Sequence, residues 1–257
     1  MLELKNIKKV YNPGTVTEMT LFDDFCLSVD DGEFVSVIGS NGSGKTSLLN
    51  IICGSIPIES GDVLVGGESI AKQKDFVRCK KIGRVYQNPA LGTCPNLTML
   101  ENMSLADNKG KSFGLGRGIN KKRTEFYREQ LASLGLGLED KLNVKMGSLS
   151  GGQRQAVALL MATMTPLKFL ILDEHTAALD PKTAEIIMEL TDKVVHEKGL
   201  TAIMVTHNLR YAVEYGSRIL MMDRGHVVLD EKGESKAALT TDEVLAQFNK
   251  ISIETGN

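Results

Sequence analysis

No stretch of this 257-residue sequence stays apolar for the roughly 20 residues that a membrane-spanning helix requires. The first residues, MLELKNIKKVY, also lack the apolar core of a signal peptide. We therefore expect any role at a membrane to be peripheral and to depend on a partner protein.

Cysteine is scarce, and an excess of positive charge is missing. The four cysteines are Cys26, Cys53, Cys79 and Cys94. They form no Cys-x-x-Cys pair, which predicts buried or free thiols in a reducing compartment rather than a disulfide framework or a zinc site. The 30 lysines and arginines are balanced by 32 aspartates and glutamates, so we expect no nucleic acid among the partners.

The pattern of apolar residues predicts a mixture of strands and helices. Hydrophobic residues make up 42% of the chain, enough for a sizeable core in one large domain or two lobes. Short alternating runs over residues 2–38 indicate strands, helix-like segments dominate from about 88 to 148, and strand–helix alternation then returns.

Local patterns in the second half are sharper. Asp180 and Pro181 predict the cap and first residue of a helix. Its expected apolar stripe consists of Ile186, Ile187, Leu190, Val194 and Val195. A strand hairpin is expected to turn at Arg224 and Gly225, and a last helix is expected at about 242–248.

The most informative pattern is a glycine-rich stretch of the form G-x-x-x-x-G-K-[ST]. It consists of Gly39, Ser40, Asn41, Gly42, Ser43, Gly44, Lys45 and Thr46. A predicted strand precedes it and helical spacing follows it, which is the context of a phosphate-binding loop and disfavours a chance match by a surface turn. Its backbone N–H groups and the helix N-terminus can bind phosphates, Lys45 can reach the β- and γ-phosphates, and Thr46 can ligate Mg²⁺.

Two further motifs carry compatible chemistry. Asp173 and Glu174 end the apolar run FLIL, where Asp173 can hold Mg²⁺ and Glu174 can polarise a water for attack on the γ-phosphate. The alternative is a strand that ends in solvated acids. The residues Ser150, Gly151, Gly152 and Gln153 precede a helix-like segment and predict a second anion-binding helix N-terminus.

With these motifs in this order, essentially the whole chain resembles the ATP-binding cassette (ABC) ATPases, whose signature is LSGGQ. The resemblance implies that Tyr11 stacks on adenine, that Gln87 lies near Mg²⁺ and that His207 contacts the γ-phosphate. Ser47 extends the nucleotide-binding set, and Asp180 belongs to the family's D-loop. Lys45, Gln87, Glu174 and His207 are thus the expected catalytic residues.

The resemblance also implies a fold. We expect an α/β protein with a P-loop NTPase (RecA-like) core, an N-terminal antiparallel β-subdomain and an inserted α-helical subdomain, together one ABC ATPase domain over residues 1–257. The core and β-subdomain would comprise residues 1–87 and 165–257, and the helical signature subdomain residues 88–164.

One P-loop and one signature in a single chain imply a head-to-tail dimer of cassettes, most simply a homodimer, with ATP and Mg²⁺ as cofactors. The expected function is the ATPase of a bacterial importer at the cytoplasmic face of the membrane, and the resemblance suggests amino acids as the cargo. Its partners would be a permease and a separate substrate-binding lipoprotein. An exporter's ATPase, or a soluble machine such as iron–sulfur cluster assembly, stays an alternative.

Some segments leave their roles open. In family transporters residues 87–101 form the groove for a permease helix, although Leu91, Leu97 and Leu100 would equally suit the lobe's own core. His175 stands where the family usually has proline, in a DEHTAALDP motif typical of one importer subgroup, and its imidazole could report pH. The basic loop at 107–123 predicts a solvated segment or contact with an anionic surface.

Overall fold

The computed structural model describes residues 1–111, 118–119 and 121–254, so part of the basic loop lies outside the described residues. The described strands are β1 (Leu2–Tyr11), β2 (Met19–Val29), β3 (Phe34–Gly39), β4 (Ser60–Val65), β5 (Glu68–Ser69), β6 (Ile82–Val85), β7 (Phe169–Asp173), β8 (Ala202–Val205), β9 (Arg218–Asp223) and β10 (His226–Lys232). The described α-helices are α1 (Lys45–Cys53), α2 (Asp75–Arg78), α3 (Met99–Asp107), α4 (Thr124–Ala132), α5 (Gly151–Ala162), α6 (Pro181–Glu197), α7 (Leu209–Glu214), α8 (Glu234–Ala238) and α9 (Thr241–Glu254).

The first sheet is antiparallel and has the strand order β2-β1-β4-β5. Leu2 and Leu4 of β1 are buried in alternation with more exposed neighbours, as the two-residue period of a strand requires. The alternation then shifts at a bulge, where Asn6 has φ 51° and Ile7 becomes the buried residue. This sheet is the predicted N-terminal antiparallel subdomain.

The second sheet has the order β10-β9-β3-β8-β7-β6, and only its β9–β10 pair is antiparallel. Because β3, β8 and β7 are neighbours, their carboxyl ends meet at one edge. Gly39 ends β3, Asp173 ends β7 and His207 follows β8. Ligands of open parallel sheets bind beyond this edge, so the topology itself gathers the predicted site residues.

Strand β7 shows how both faces of the parallel sheet are buried. Phe169 and Ile171 belong to the apolar core shared with α1 and the antiparallel sheet. Leu170 and Leu172 point to the opposite face, into the core shared with α3 to α6. A strand covered on both faces needs apolar side chains at every position, which explains the uninterrupted run FLIL.

The segment 88–164 supplies α3, α4 and α5, which pack on one another, and α5 also packs on α6. Two of these helices begin with a capping box, in which the cap side chain and the third helical residue bond each other's backbone. The pairs are Thr98 with Glu101 in α3 and Ser150 with Gln153 in α5. The subdomain boundaries proposed from the sequence stay a prediction.

Most local predictions for the second half are confirmed. Asp180 caps α6 by accepting the Thr183 backbone N–H at 3.1 Å, and Pro181 is the first helical residue. The β9–β10 hairpin turns at Arg224 and Gly225, whose φ angles of 44° and 81° suit a two-residue hairpin turn. Helix α9 is longer than the predicted helix at 242–248.

The assignment of Ile186 to the apolar stripe of α6 was wrong. Its side chain is 41% exposed, because the buried face of α6 is centred on Ile187, Leu190 and Thr191. Adjacent helical residues are about 100° apart around the axis, so Ile186 falls outside that face.

The four cysteines are free thiols, as predicted, but none of them is buried: Cys53 is half-buried and the other three are exposed. Among the described helices, none is both long enough and apolar enough to cross a bilayer.

Candidate functional site

The carboxyl edge of the parallel sheet carries a cavity of about 300 Å³. Residues from β1, the glycine-rich loop and the ends of β7 and β8 line it. The predicted site residues among them are Tyr11, Asn41, Gly42, Gly44, Lys45, Thr46, Ser47, Glu174 and His207. The fold therefore brings half of the predicted nucleotide-binding and catalytic residues, which are up to 196 positions apart in the sequence, to one place.

The glycines of the loop are required by backbone shape and by close neighbours. Gly39 has φ 151°, and a Cβ there would lie 2.2 Å from the Met222 carbonyl oxygen. Gly44 caps α1 with φ 106°, and its Cβ would come within 3.2 Å of the Phe22 ring. Only glycine combines these left-handed angles with such close approach, so the loop can turn directly from β3 into α1.

Lys45 is held inside the loop by its own backbone. The side-chain Nζ donates to the carbonyl oxygens of Gly39 and Ser40, both at 2.8 Å, and lies 3.3 Å from Ser43 Oγ. Burial lowers the pKa of Lys45, and the nearby negative charge of Glu174 acts in the opposite direction. The ammonium group is thus preplaced in the loop, where a phosphate oxygen can replace a carbonyl as its acceptor.

The β9–β10 hairpin braces the loop from behind. The Gly225 backbone N–H donates to the Ser43 carbonyl at 2.9 Å, and Ser40 Oγ lies 3.4 Å from Asp223 Oδ1. Ser43 itself is buried. Gly39, Ser40 and Ser43 therefore shape the loop from its inner side, while the remaining loop residues face the cavity.

Glu174 and His207 meet across the cavity. His207 Nε2 lies 2.8 Å from Glu174 Oε1, a contact that requires the proton on Nε2. The Glu174 backbone has φ 47° and its N–H donates to the Val205 carbonyl at 3.0 Å. A strained turn fixed to β8 thus directs the carboxylate toward the cavity, and strain of this kind is concentrated at functional sites.

Asp173 is engaged by a residue that sequence reasoning missed. Arg84 on β6 donates from Nη2 to Asp173 Oδ2 at 2.6 Å and from Nη1 to Asn50 Oδ1 at 2.8 Å. The side chains of Arg84 and Asp173 are 12% and 16% exposed. Nothing in the sequence signals this pairing, because the two residues are 89 positions apart and meet only through the β6–β7 register.

His175 does not report pH near neutrality, contrary to the expectation. It is buried, with Nε2 3.0 Å from Thr191 Oγ1, and burial lowers its pKa to about 4. The Thr191 hydroxyl donates to the Ile187 carbonyl at 2.7 Å, so His175 Nε2 must be the donor in the first contact. The neutral ring therefore ties the turn after β7 to the middle of α6.

Tyr11 lies on the wall of the cavity above the start of α1. Its hydroxyl is 2.8 Å from Ser47 Oγ, and the Lys9 ammonium lies 5.3 Å from its ring centroid. Both Tyr11 and Ser47 thus hold fixed positions at the cavity surface.

The signature residues do not share this cavity. Ser150 and Gln153 form the capping box that starts α5, and Gly151 and Gly152 are its first two residues. They lie beside the start of α6, because a Cβ on Gly152 would be 2.2 Å from Thr183 Cγ2. Asp180, the cap of α6, is exposed on the same side. Gln87 is exposed and is not among the residues that line the cavity either.

A larger groove of about 590 Å³ lies between the parallel sheet and the helical segment. Exposed apolar side chains from both sides line it: Phe76 is 62% exposed, Leu91 69% and Leu105 43%. Leu100 instead packs against the chain's own core, as one of the two interpretations of the 87–101 segment expects, while a permease contact at Leu91 stays a prediction.

These features define an ATP-binding cassette of the α/β P-loop class. Residues 22–177 match the sequence model of the ABC transporter family, and the chain belongs to that family. It is similar to the tyrosine transport ATP-binding protein of Clostridioides difficile, with 46% identity over 96% of this chain and 98% of the relative. It is also similar to the phosphonates import protein PhnC 2 of Oceanobacillus iheyensis, with 34% identity over 90% of this chain and 89% of the relative.

Solved structures agree with this assignment. The ATP-binding cassette MJ0796, solved as a dimer in a post-hydrolysis state with ADP and Pi, is 34% identical over 90% of this chain and 98% of its own, with a TM-score of 0.75. A nucleotide-free cassette from an ABC transporter has a TM-score of 0.80 over 100% of this chain and 99% of its own, and at 24% identity it supports the fold alone. The chain is therefore an ATP-binding subunit of an ABC transporter and an ATPase coupled to transport.

Proposed function

We propose that this chain is the ATP-hydrolysing subunit of a bacterial membrane importer. The observation that carries the proposal is the cavity in which Lys45, Glu174 and His207 converge on a braced phosphate-binding loop. In it, Glu174 orients the attacking water, His207 holds the Glu174 carboxylate and contacts the γ-phosphate, and Lys45 neutralises charge on the phosphates. Tyr11 stacks on adenine at the edge of the same cavity.

The residues present fit Mg²⁺. Thr46 offers a hydroxyl from the first turn of α1, and Asp173 offers a carboxylate from the end of β7. Mg²⁺ prefers a few hard oxygen ligands and completes its shell with phosphates and water. When bound, Mg²⁺ would neutralise negative charge on the phosphates, and Gln87 is proposed as a further residue near it.

The nucleotide site is completed by a second cassette. The helix N-terminus at Ser150 to Gln153 can donate to phosphate, yet it lies beside α6 and outside the cavity that holds Lys45. A head-to-tail homodimer places the signature of one chain over the phosphate-binding loop of the other. The cassette MJ0796, solved as a dimer with ADP and Pi, supports dimerisation.

The groove with Phe76, Leu91 and Leu105 fits a helix of the permease, which would hold the chain at the cytoplasmic face of the membrane. Import is favoured because the relatives include proteins named for import. An amino acid is the proposed cargo class, because the relatives named for tyrosine and methionine transport are 46% and 36% identical. A separate substrate-binding lipoprotein would deliver that cargo.

The test is purification of the tagged chain from its native host in a mild detergent, followed by identification of the associated proteins. A polytopic membrane protein together with a binding lipoprotein supports import, and the ligand of that lipoprotein then reports the cargo class. A membrane protein without a binding protein supports export, while soluble partners alone contradict the transporter subunit.

A matched pair of variants tests the groove. Leu91→Asp places a charge in the groove and should abolish recovery of the membrane protein. Leu245→Asp places the same charge on an exposed leucine of α9, which is 42% exposed, and should leave recovery unchanged. Equal recovery with both variants would locate the membrane contact elsewhere.

A further inference from the structure

Arg84 lines the groove and also contacts Asp173, the chain neighbour of the cavity residue Glu174. On one side it holds Asp173 Oδ2 at 2.6 Å and Asn50 Oδ1 at 2.8 Å, so it joins β6 to the end of β7 and to α1. On the other side its guanidinium carbon lies 4.7 Å from the centroid of the Tyr86 ring. Arg84, Tyr86 and Cys53 all line the groove between the sheet and the helical segment.

This placement has an electrostatic consequence for the proposed metal site. A carboxylate that already binds one cation attracts a second cation less strongly, and the two cations also repel each other. Both partners are largely shielded from water, so solvent weakens these effects less than it would at the surface. The short contact also fixes the Asp173 carboxylate in one orientation.

We propose that Arg84 is a positioning residue that lowers the affinity of the nucleotide site for Mg²⁺ by holding one oxygen of Asp173. It does so from the wall of the groove. This inference rests on the proposed function, because it concerns the same ATP and Mg²⁺.

The competing interpretation is purely structural: Arg84 would only tie three elements together. The two interpretations differ in which measurement changes. A structural tie affects unfolding temperature and the binding of ATP with or without metal alike. An electrostatic role changes the metal dependence of ATP binding and leaves the binding of ATP without metal unchanged.

The experiment measures binding of a fluorescent ATP analogue to the full chain, first in EDTA and then as Mg²⁺ is titrated. Arg84→Met keeps a long unbranched side chain against Tyr86 and removes the charge. We expect the Mg²⁺ concentration for half-saturation to fall by roughly 3- to 10-fold, because a charge a few ångströms from the metal is removed from a weakly screened position. Affinity in EDTA should stay within about twofold, since Arg84 does not line the ATP cavity.

Two further substitutions keep the test decisive. Arg84→Gln is neutral and retains N–H donors for Asn50 or Asp173, so it should reproduce the shift even where the methionine variant folds poorly. Arg84→Lys retains the charge and should restore half-saturation to within about twofold of the original protein. Direct binding of Mn²⁺ with ATP, followed by electron paramagnetic resonance, should show the same order of affinities.

The matched control is Lys81→Met. Lys81 precedes β6 and pairs with Glu68, so its loss removes the same charge and one ion pair without touching Asp173. It should leave the metal dependence unchanged. An unchanged or higher half-saturation concentration in both neutral Arg84 variants overturns the inference, and so does parallel loss of binding in EDTA.

The outcomes also separate this inference from the proposed function. If the original protein bound no ATP, the proposed function itself would fail. If it bound ATP in a metal-dependent manner and the Arg84 variants behaved like it, only the role of Arg84 would be lost.

Discussion

His175 illustrates how a single buried residue can make stability depend on pH. Burial lowers its pKa to about 4 in the folded chain, whereas an exposed histidine titrates near 6.5. Between these values the unfolded chain binds more protons than the folded one. The free energy of unfolding therefore decreases as the pH falls from 6.5 to 4. Above pH 6.5 the histidine is neutral in both states, and this loss of stability is absent.

We predict that His175→Gln flattens this dependence. Between pH 7 and pH 5 the original protein should lose about 2 kcal/mol more of unfolding free energy than the variant, because glutamine does not titrate. Urea unfolding at several pH values, in EDTA and without nucleotide, measures the difference. Parallel curves for the two proteins would contradict the buried neutral state of His175.

Prediction of single residues from the sequence succeeded where a motif determines the backbone conformation. It failed where two side chains that are distant in the sequence contact each other in the fold. The pattern from Gly39 to Thr46 predicts a phosphate-binding loop, because glycine and lysine at this spacing rarely occur in another structure. By contrast, the burial of His175 against Thr191 depends on how α6 packs beneath β7. The Arg84–Asp173 pair depends on the strand register, which no local pattern contains.

At the scale of elements, Gly151 and Gly152 allow helix α5 to pack closely against the start of α6. A Cβ on Gly152 would lie 2.2 Å from Thr183 Cγ2, so the absence of a side chain lets α5 approach the start of α6. Gly151 is less confined, with a Cβ contact of 3.3 Å to Leu179. The starts of α5 and α6 are therefore positioned relative to each other by this contact.

Gly152→Ala should consequently destabilise the fold by about 1–2 kcal/mol, since overpacking outweighs the better helix propensity of alanine. Thr183→Ala removes the clashing methyl group and should recover this loss in the double variant. A double-mutant cycle by thermal or urea unfolding measures the coupling. Additive effects of the two substitutions would show that α5 and α6 do not meet as described, and Gly151→Ala provides the milder comparison.

Element prediction succeeded where cap and stripe agree, as Asp180 and Pro181 show for α6. It wrongly included one residue, Ile186, because an isoleucine in a helix can lie either in the core or at its margin. The covered faces depend on which helices and strands pack there, which a local apolar pattern does not specify.

At the scale of the whole molecule, the separation of the two anion-binding helix ends determines how activity must depend on assembly. Lys45 and Glu174 line one cavity, while Ser150 caps a helix beside α6 and lies outside it. In the proposed head-to-tail homodimer, one chain would therefore supply half of each of two sites. A symmetric dimer closes both sites with the same pair of surfaces.

This predicts complementation between two inactive variants. Glu174→Gln should bind ATP and hydrolyse it at least about 100-fold more slowly, because the group that orients water is lost. Ser150→Asp retains a helix-capping side chain but places a negative charge where the partner's phosphate would lie, so it should also be inactive. Ser150→Asn has nearly the same shape without the charge and should remain active.

In a mixed dimer, one site combines the intact cavity of the Ser150→Asp chain with the intact signature of the Glu174→Gln chain. Equal mixing makes half of the dimers mixed, each with one competent site of two, so turnover per chain should reach about a quarter of the original value if the sites act independently. ATPase assays across mixing ratios should peak at equal amounts. A mixture as inactive as its components would mean that each chain completes its own site or that both sites must act together. Covalently linked dimers with only one altered site would distinguish these two outcomes.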